Sequence, residues 1–90
     1  MNKVIKFSAS WCGPCKVMKP QYEKFQDLVK DKEIEVVDLD VDQNHEEASK
    51  YGVRSIPVTF FIKNNEVADK ISGMATADKL LDTFNVVYQN

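Results

Sequence analysis

Two cysteines, Cys12 and Cys15, stand two residues apart in the run Trp11-Cys12-Gly13-Pro14-Cys15, and the chain contains no others. Side chains at i and i+3 on the first turn of a helix share one face, so the two sulfurs can close into a disulfide or open to a dithiol with little backbone movement. That arrangement describes a redox switch. A cysteine at a helix start also has unpaired backbone N–H groups and the positive end of the helix dipole beside it, and both favour thiolate over thiol. The Cys12 pKa is therefore expected below the ordinary thiol value of about 8.5. Pro14 is suited to the first helical turn, where its missing N–H is not needed and its φ is already helical. Gly13 is expected to leave Cys12 uncovered on one side, and Trp11 to offer an apolar platform on which a partner polypeptide could rest. Lys16 and Lys19 add positive charge near the pair.

Other chemistries for the same residues are weaker. Cys-x-x-Cys is also half of a tetrahedral zinc site, but four ligands are needed and the remaining sequence offers a single histidine, His45, expected in the first turn of a later helix. The alternating Asp38, Asp40 and Asp42 run straight off a strand with no glycine at the sixth loop position and no closing glutamate, so they fail the calcium-loop pattern and read as a solvated strand end. No metal and no bound cofactor is expected.

The elements that must position the cysteines follow from periodicity. Lys3 to Phe7 is a short strand, buried on both faces apart from its lysines, that ends just before Cys12. From Cys12 to Lys30, Cys15, Met18, Tyr22, Phe25 and Val29 step by three and four, which predicts a helix with one apolar stripe, kinked at Pro20. Ile34 to Val41 reads as a second strand, and strand, helix and strand in succession predict a right-handed parallel unit. Asn44 is placed to cap a short helix through Tyr51, stopped by Gly52. Pro57 to Ile62 and Glu66 to Ile71 flank Asn64-Asn65, a pair that tolerates the positive φ of a two-residue hairpin turn. Thr76 is placed to cap a last helix whose apolar face is Leu80, Leu81, Phe84, Val87 and Tyr88.

Ninety residues suffice for one domain with a modest core, here 1–90. Hydrophobic residues at 43% and charged residues at 29% place the chain among ordinary soluble proteins. A net charge of -2 supplies neither a basic face for nucleic acid nor a polybasic membrane anchor. With no apolar run of signal-peptide or transmembrane length, a cytoplasmic location is expected, and a lone cysteine pair in that compartment points to catalysis or metal binding over a structural disulfide.

The run from Trp11 to Lys16 resembles the active site of the thioredoxin family. The resemblance extends to Pro20, to Tyr51-Gly52-Val53-Arg54-Ser55-Ile56-Pro57, which resembles the segment leading to the family's cis-proline, and to Gly73. It implies a thioredoxin-like α/β fold, a four-stranded mixed sheet in the order β-α-β-α-β-β-α with helices on both faces, lacking the additional first strand and helix of full-length members. It also implies a monomeric protein-disulfide reductase in which Cys12 is the nucleophile and Cys15 the resolving thiol. Pro57 would be cis against the sulfurs and exclude metal, Ile56 would pair with an extended substrate strand, and Gly73 and Trp11 would wall the groove. Electrons would come from a flavoprotein reductase. Two other readings stand beside this one: a glutaredoxin-like enzyme using glutathione, and a docking module without catalysis.

One departure from the family pattern concerns charge. Where thioredoxins carry a buried aspartate six residues ahead of the first cysteine, this chain has Lys6, and where a neighbouring strand carries a lysine, it has Asp38. Either the ion pair is retained with its ends reversed, or Lys6 reaches solvent at a thinned sheet edge and Asp38 is plain surface.

Overall fold

The computed structural model describes residues 2–89. Its elements run β1 (Lys3–Ser8), α1 (Gly13–Leu28), β2 (Glu35–Asp40), α2 (His45–Lys50), β3 (Val58–Lys63), β4 (Glu66–Ser72) and α3 (Ala77–Val87). The strands form one sheet in the order β2-β1-β3-β4, with β1 parallel to β2 and the other two pairs antiparallel. The mixed sheet and the order β-α-β-α-β-β-α are those expected.

Strand alternation sends successive side chains to opposite faces, and each face of β1 has its own core. Val4 points to a cluster with Met18, Tyr22 and Phe25 of α1, Phe61 of β3, and Leu80 and Phe84 of α3. Ile5 and Phe7 point the other way, to Val58, Phe60 and Ile62, where Ala48 of α2 and Tyr51 close the layer. Helices therefore cover both faces, α1 and α3 on one and α2 on the other. The predicted stripe of Cys15, Met18, Tyr22, Phe25 and Val29 is buried throughout. Pro20 lies inside α1, which continues past it to Leu28.

The hairpin turn forms as expected, with Asn64 at φ 54° and Asn65 at φ 69°. Thr76 caps α3 through its hydroxyl, which accepts from Lys79 N at 3.2 Å. Gly52, at φ 65°, follows α2 in the left-handed conformation that ends helices. Asn44 departs from expectation. It stands at the N-cap position of α2, but its side chain makes no cap hydrogen bond. Its amide Nδ2 instead donates to the Asp40 carbonyl at 2.9 Å, tying α2 back to the end of β2. An amide can do either, and here it joins the Gln43 backbone N–H as a second donor to the Asp40 carbonyl.

The second correction concerns β1. Lys6 is buried at 1% exposure, not directed to water, so both faces of β1 are covered at its centre.

Candidate active site

The cysteines occupy the junction the spacing predicted. Chain direction carries β1 out through Ser8, a turn closed by Cys12 N donating to Ala9 O at 3.2 Å reverses it, and α1 begins at Gly13. Cys12 is the N-cap, with extended backbone at φ -90° and ψ 110°, and Pro14 falls in the first turn. Its sulfur accepts from the Cys15 backbone N–H at 3.2 Å, so one of the helix's unpaired donors already points at Sγ. The two residues form a disulfide across a Cα separation of 5.3 Å.

Burial is uneven around this bond. Trp11 is 67% exposed, whereas Cys12 is 6% and Cys15 3% exposed. The expectation that Gly13 leaves Cys12 uncovered is thus corrected: in the disulfide form Cys12 is shielded, packed with Ala9 and Cys15 against Val41 and Ile56. Gly13 is itself exposed, with no atom within 4 Å of where a Cβ would project. The cover over Cys12 comes instead from the segments after β2 and before β3, which sequence spacing does not bring into view.

The Ile56-Pro57 bond is cis. Pro57 is buried, and its carbonyl accepts from Gly73 N at 2.8 Å, so the residue after β4 is held beside the residue before β3. Gly73 adopts φ 87°, a conformation in which a side chain would be strained. Trp11, Asp42, Arg54, Ser55 and Ile56 share a shallow hollow of about 280 Å³. Trp11, Ile56, Pro57 and Gly73 therefore lie around the cysteine end of the sheet.

Asp42 is a site residue that the sequence reading missed. Its Oδ2 accepts from the Trp11 indole Nε1 at 2.8 Å, which anchors the exposed ring. The signal was the single indole donor beside the cysteines and an acidic residue two positions beyond β2, but only parallel pairing of β1 with β2 brings them together.

Behind the disulfide, Lys6 Nζ lies 3.1 Å from Asp38 Oδ2, with side-chain exposures of 1% and 37%. The other carboxylate oxygen, Oδ1, accepts from Ser8 Oγ at 3.0 Å. The lysine ammonium also stands 4.9 Å from the centre of the Tyr22 ring. Of the two readings, the ion pair with its ends reversed is the one formed: Lys6 is buried and paired, while Asp38 itself stays exposed. Burial first, and the Asp38 carboxylate second, raise the Tyr22 hydroxyl far above the usual phenol range. Lys6, Asp38, Cys15, Lys16 and Lys19 all line one hollow of about 290 Å³. His45 is exposed, and among the described residues no three His, Cys, Asp or Glu side chains are grouped to hold a metal.

A cysteine pair at a helix start, an anchored indole and a cis-proline at one sheet end form a surface suited to disulfide exchange with an extended chain. The comparisons agree. The family model described as thioredoxin matches residues 1–86. The thioredoxin of Bacillus subtilis is 40% identical over 79 residues, covering 88% of this chain and 75% of the relative. That of Rickettsia typhi is 38% identical over 82 residues, covering 91% and 77%. Among solved structures, Fasciola hepatica thioredoxin superposes with a TM-score of 0.83 at 39% identity, covering 94% of this chain and 79% of that one.

Proposed function

Because the chain belongs to the thioredoxin family and is a thiol-disulfide oxidoreductase, we propose a division of labour in which Cys12 attacks the protein disulfide and Cys15 resolves the product. The attacking thiolate forms a bond to one substrate sulfur and expels the other. Cys15 then attacks Cys12 Sγ, releases the substrate as a dithiol and leaves the Cys12-Cys15 disulfide. The observation that carries this assignment is the Cys15 N–H directed at Cys12 Sγ at 3.2 Å, a donor that stabilises charge on Cys12 and not on Cys15.

Substrate backbone pairs beside Ile56 at the cis bond, between Trp11 on one side and Gly73 on the other. Gly13 and Pro14 hold the two cysteines in register on the first turn, and Lys16 adds positive charge at its rim. Family membership implies a reductase as electron donor. We take that donor to be a flavoprotein and the protein to act as a monomer in the cytoplasm. No helix among the described residues is long and apolar enough to cross a membrane. The cis-proline segment also keeps metal from the sulfurs, so the dithiol itself is the redox group.

Insulin reduction tests this reading. With NADPH and a thioredoxin reductase the chain should turn over insulin, and with glutathione as sole reductant it should be much slower. Equal rates with glutathione would favour glutaredoxin-like chemistry, and no turnover with either donor would leave only a docking role.

A further inference from the structure

The sheet carries a row of polar side chains beneath α1. Asp38 of β2, Lys6 of β1 and Thr59 of β3 are direct cross-strand partners and so project from the same face. Val4 and Phe61 on that face belong to the apolar core, so nothing in the packing requires a lysine there. Lys6 is nevertheless the largest charged group in the interior, buried to 1% exposure. Its neighbour Thr59 offers no relief, since Thr59 Oγ1 is buried without a hydrogen-bond partner among the described residues. A buried ammonium is costly unless its charge is used or compensated. Asp38 compensates it only in part, because that carboxylate is more than a third exposed and shares itself with Ser8.

Lys6 and Cys15 line the same hollow. Every charged or titratable group facing that space can be named. β1 contributes Lys6, β2 contributes Asp38 and Asp40, and α1 contributes Lys16 and Lys19 at the rim. Tyr22 of α1 stands against Lys6 from behind. Asp38 is bound to Lys6 and Ser8, and Asp40 Oδ1 accepts from the Asp42 backbone N–H at 2.8 Å, so both anions are engaged away from the sulfur. Lys16 and Lys19 are exposed and screened by water. Lys6 is the charge that is not screened.

We propose that Lys6 is a charge-stabilising residue for Cys15, holding the resolving cysteine as a thiolate, and that Asp38 is the positioning residue that fixes the ammonium toward it. The inference rests on the assignment of Cys15 as the resolving thiol. In that step Cys15 loses its proton to water in the hollow and its thiolate forms a bond to Cys12 Sγ. The bond between Cys12 and the substrate breaks, and the departing substrate thiolate takes up a proton, so charge and protons balance. Lys6 stays protonated throughout. The two-electron oxidation of the Cys12-Cys15 dithiol matches the reduction of the substrate disulfide. Through that thiolate, a cation at this point also stabilises the reduced form relative to the disulfide.

The test uses the full chain carrying Cys12→Ser, in which Cys15 is the single thiol, and follows its alkylation rate against pH. Adding Lys6→Met should shift the Cys15 titration upward by about one pH unit, a tenfold loss of thiolate near neutrality. Lys6→Arg should keep the midpoint of the parent. In the protein with both cysteines, Lys6→Met should move the equilibrium with a glutathione buffer about tenfold toward the disulfide, equivalent to about 30 mV for a two-electron couple. Should Lys6→Met not fold, Lys6→Gln removes the same charge and is read identically. An unmoved Cys15 titration in the neutral variant, with or without a change in stability, overturns the proposal. Absence of insulin reduction by the unaltered protein would instead overturn the proposed function, because the titration of Cys15 does not depend on turnover.

Discussion

The Trp11 indole donates a 2.8 Å hydrogen bond to Asp42 across thirty-one residues of sequence, fixing the edge of an exposed ring beside a buried disulfide. An indole held by its nitrogen presents a face in constant orientation, and an unheld one must be ordered when a substrate arrives. Asp42→Ala is therefore expected to raise KM for insulin about fivefold with little change in kcat, matching the ~1 kcal/mol of one such bond. Steady-state kinetics give the split, and tryptophan fluorescence anisotropy reports the loosened ring. A fall in kcat at constant KM would place the role of Asp42 in the chemistry instead.

The two cysteines should fail differently. Cys12→Ser is expected to show no turnover, whereas Cys15→Ser should accumulate a mixed disulfide with an oxidised protein substrate, because attack proceeds and resolution does not. Non-reducing gels and intact mass measure the trapped species. Trapping by the Cys12→Ser protein in preference to Cys15→Ser would reverse the assigned roles.

Two tyrosines tie helices to the sheet through their hydroxyls. Tyr22 donates to Val37 O at 2.7 Å, and Tyr88 donates to Ile62 O at 2.7 Å with Lys3 O 3.1 Å away. Burial raises both phenols, Tyr88 to about 12 from an ordinary 10.0. A group whose folded pKa is raised contributes its full stability below the unfolded value and loses it as pH climbs to the folded value. Urea unfolding should thus show stability falling between pH 10 and about 12. Tyr88→Phe should flatten part of that fall while costing about 1 kcal/mol near neutrality. An identical alkaline slope in Tyr88→Phe would remove Tyr88 from the account.

Thr59 is fully buried in β3, and its hydroxyl has no hydrogen-bond partner among the described residues. Thr59→Val keeps the β-branched shape that suits a strand and replaces a desolvated hydroxyl with a methyl group. The variant is expected to be more stable by about 1 kcal/mol in urea unfolding. A destabilised variant would mean that the hydroxyl has a partner in solution.

What was legible in the sequence was local. The stripe from Cys15 to Val29, the Asn64-Asn65 turn and the Thr76 cap depend on residues a few positions apart, and each forms as read. The Cys12-Cys15 pair is equally local. Lys6 and Asp38 are thirty-two positions apart by number, and their contact exists only because β1 and β2 pair in a register that sets one opposite the other. The residue types allowed either a pair or a snorkelling lysine, and only the covering helix α1 decides between them. Burial of Cys12 and the Trp11-Asp42 bond were hidden for the same reason: they belong to the meeting of strand ends, not to any one element. Asn44 was misread because a capping side chain and a strand-end tether use the same amide.

The edges of the sheet have a consequence for life at high concentration. β2 and β4 are its outer strands, and each leaves one side of its backbone without a neighbouring strand among the described residues. Such rims are templates on which another copy of the chain could add. Here β2 carries Glu35, Asp38 and Asp40, and β4 carries Glu66, Asp69 and Lys70. Two β2 rims brought together would set acidic residues against one another, and the outward-facing carbonyl of Val36 is already occupied by Gln26. Asp38 and Asp40, expected from the sequence as part of a solvated strand end, thus also set negative charge along a rim where strand addition by another copy would bring like charges together.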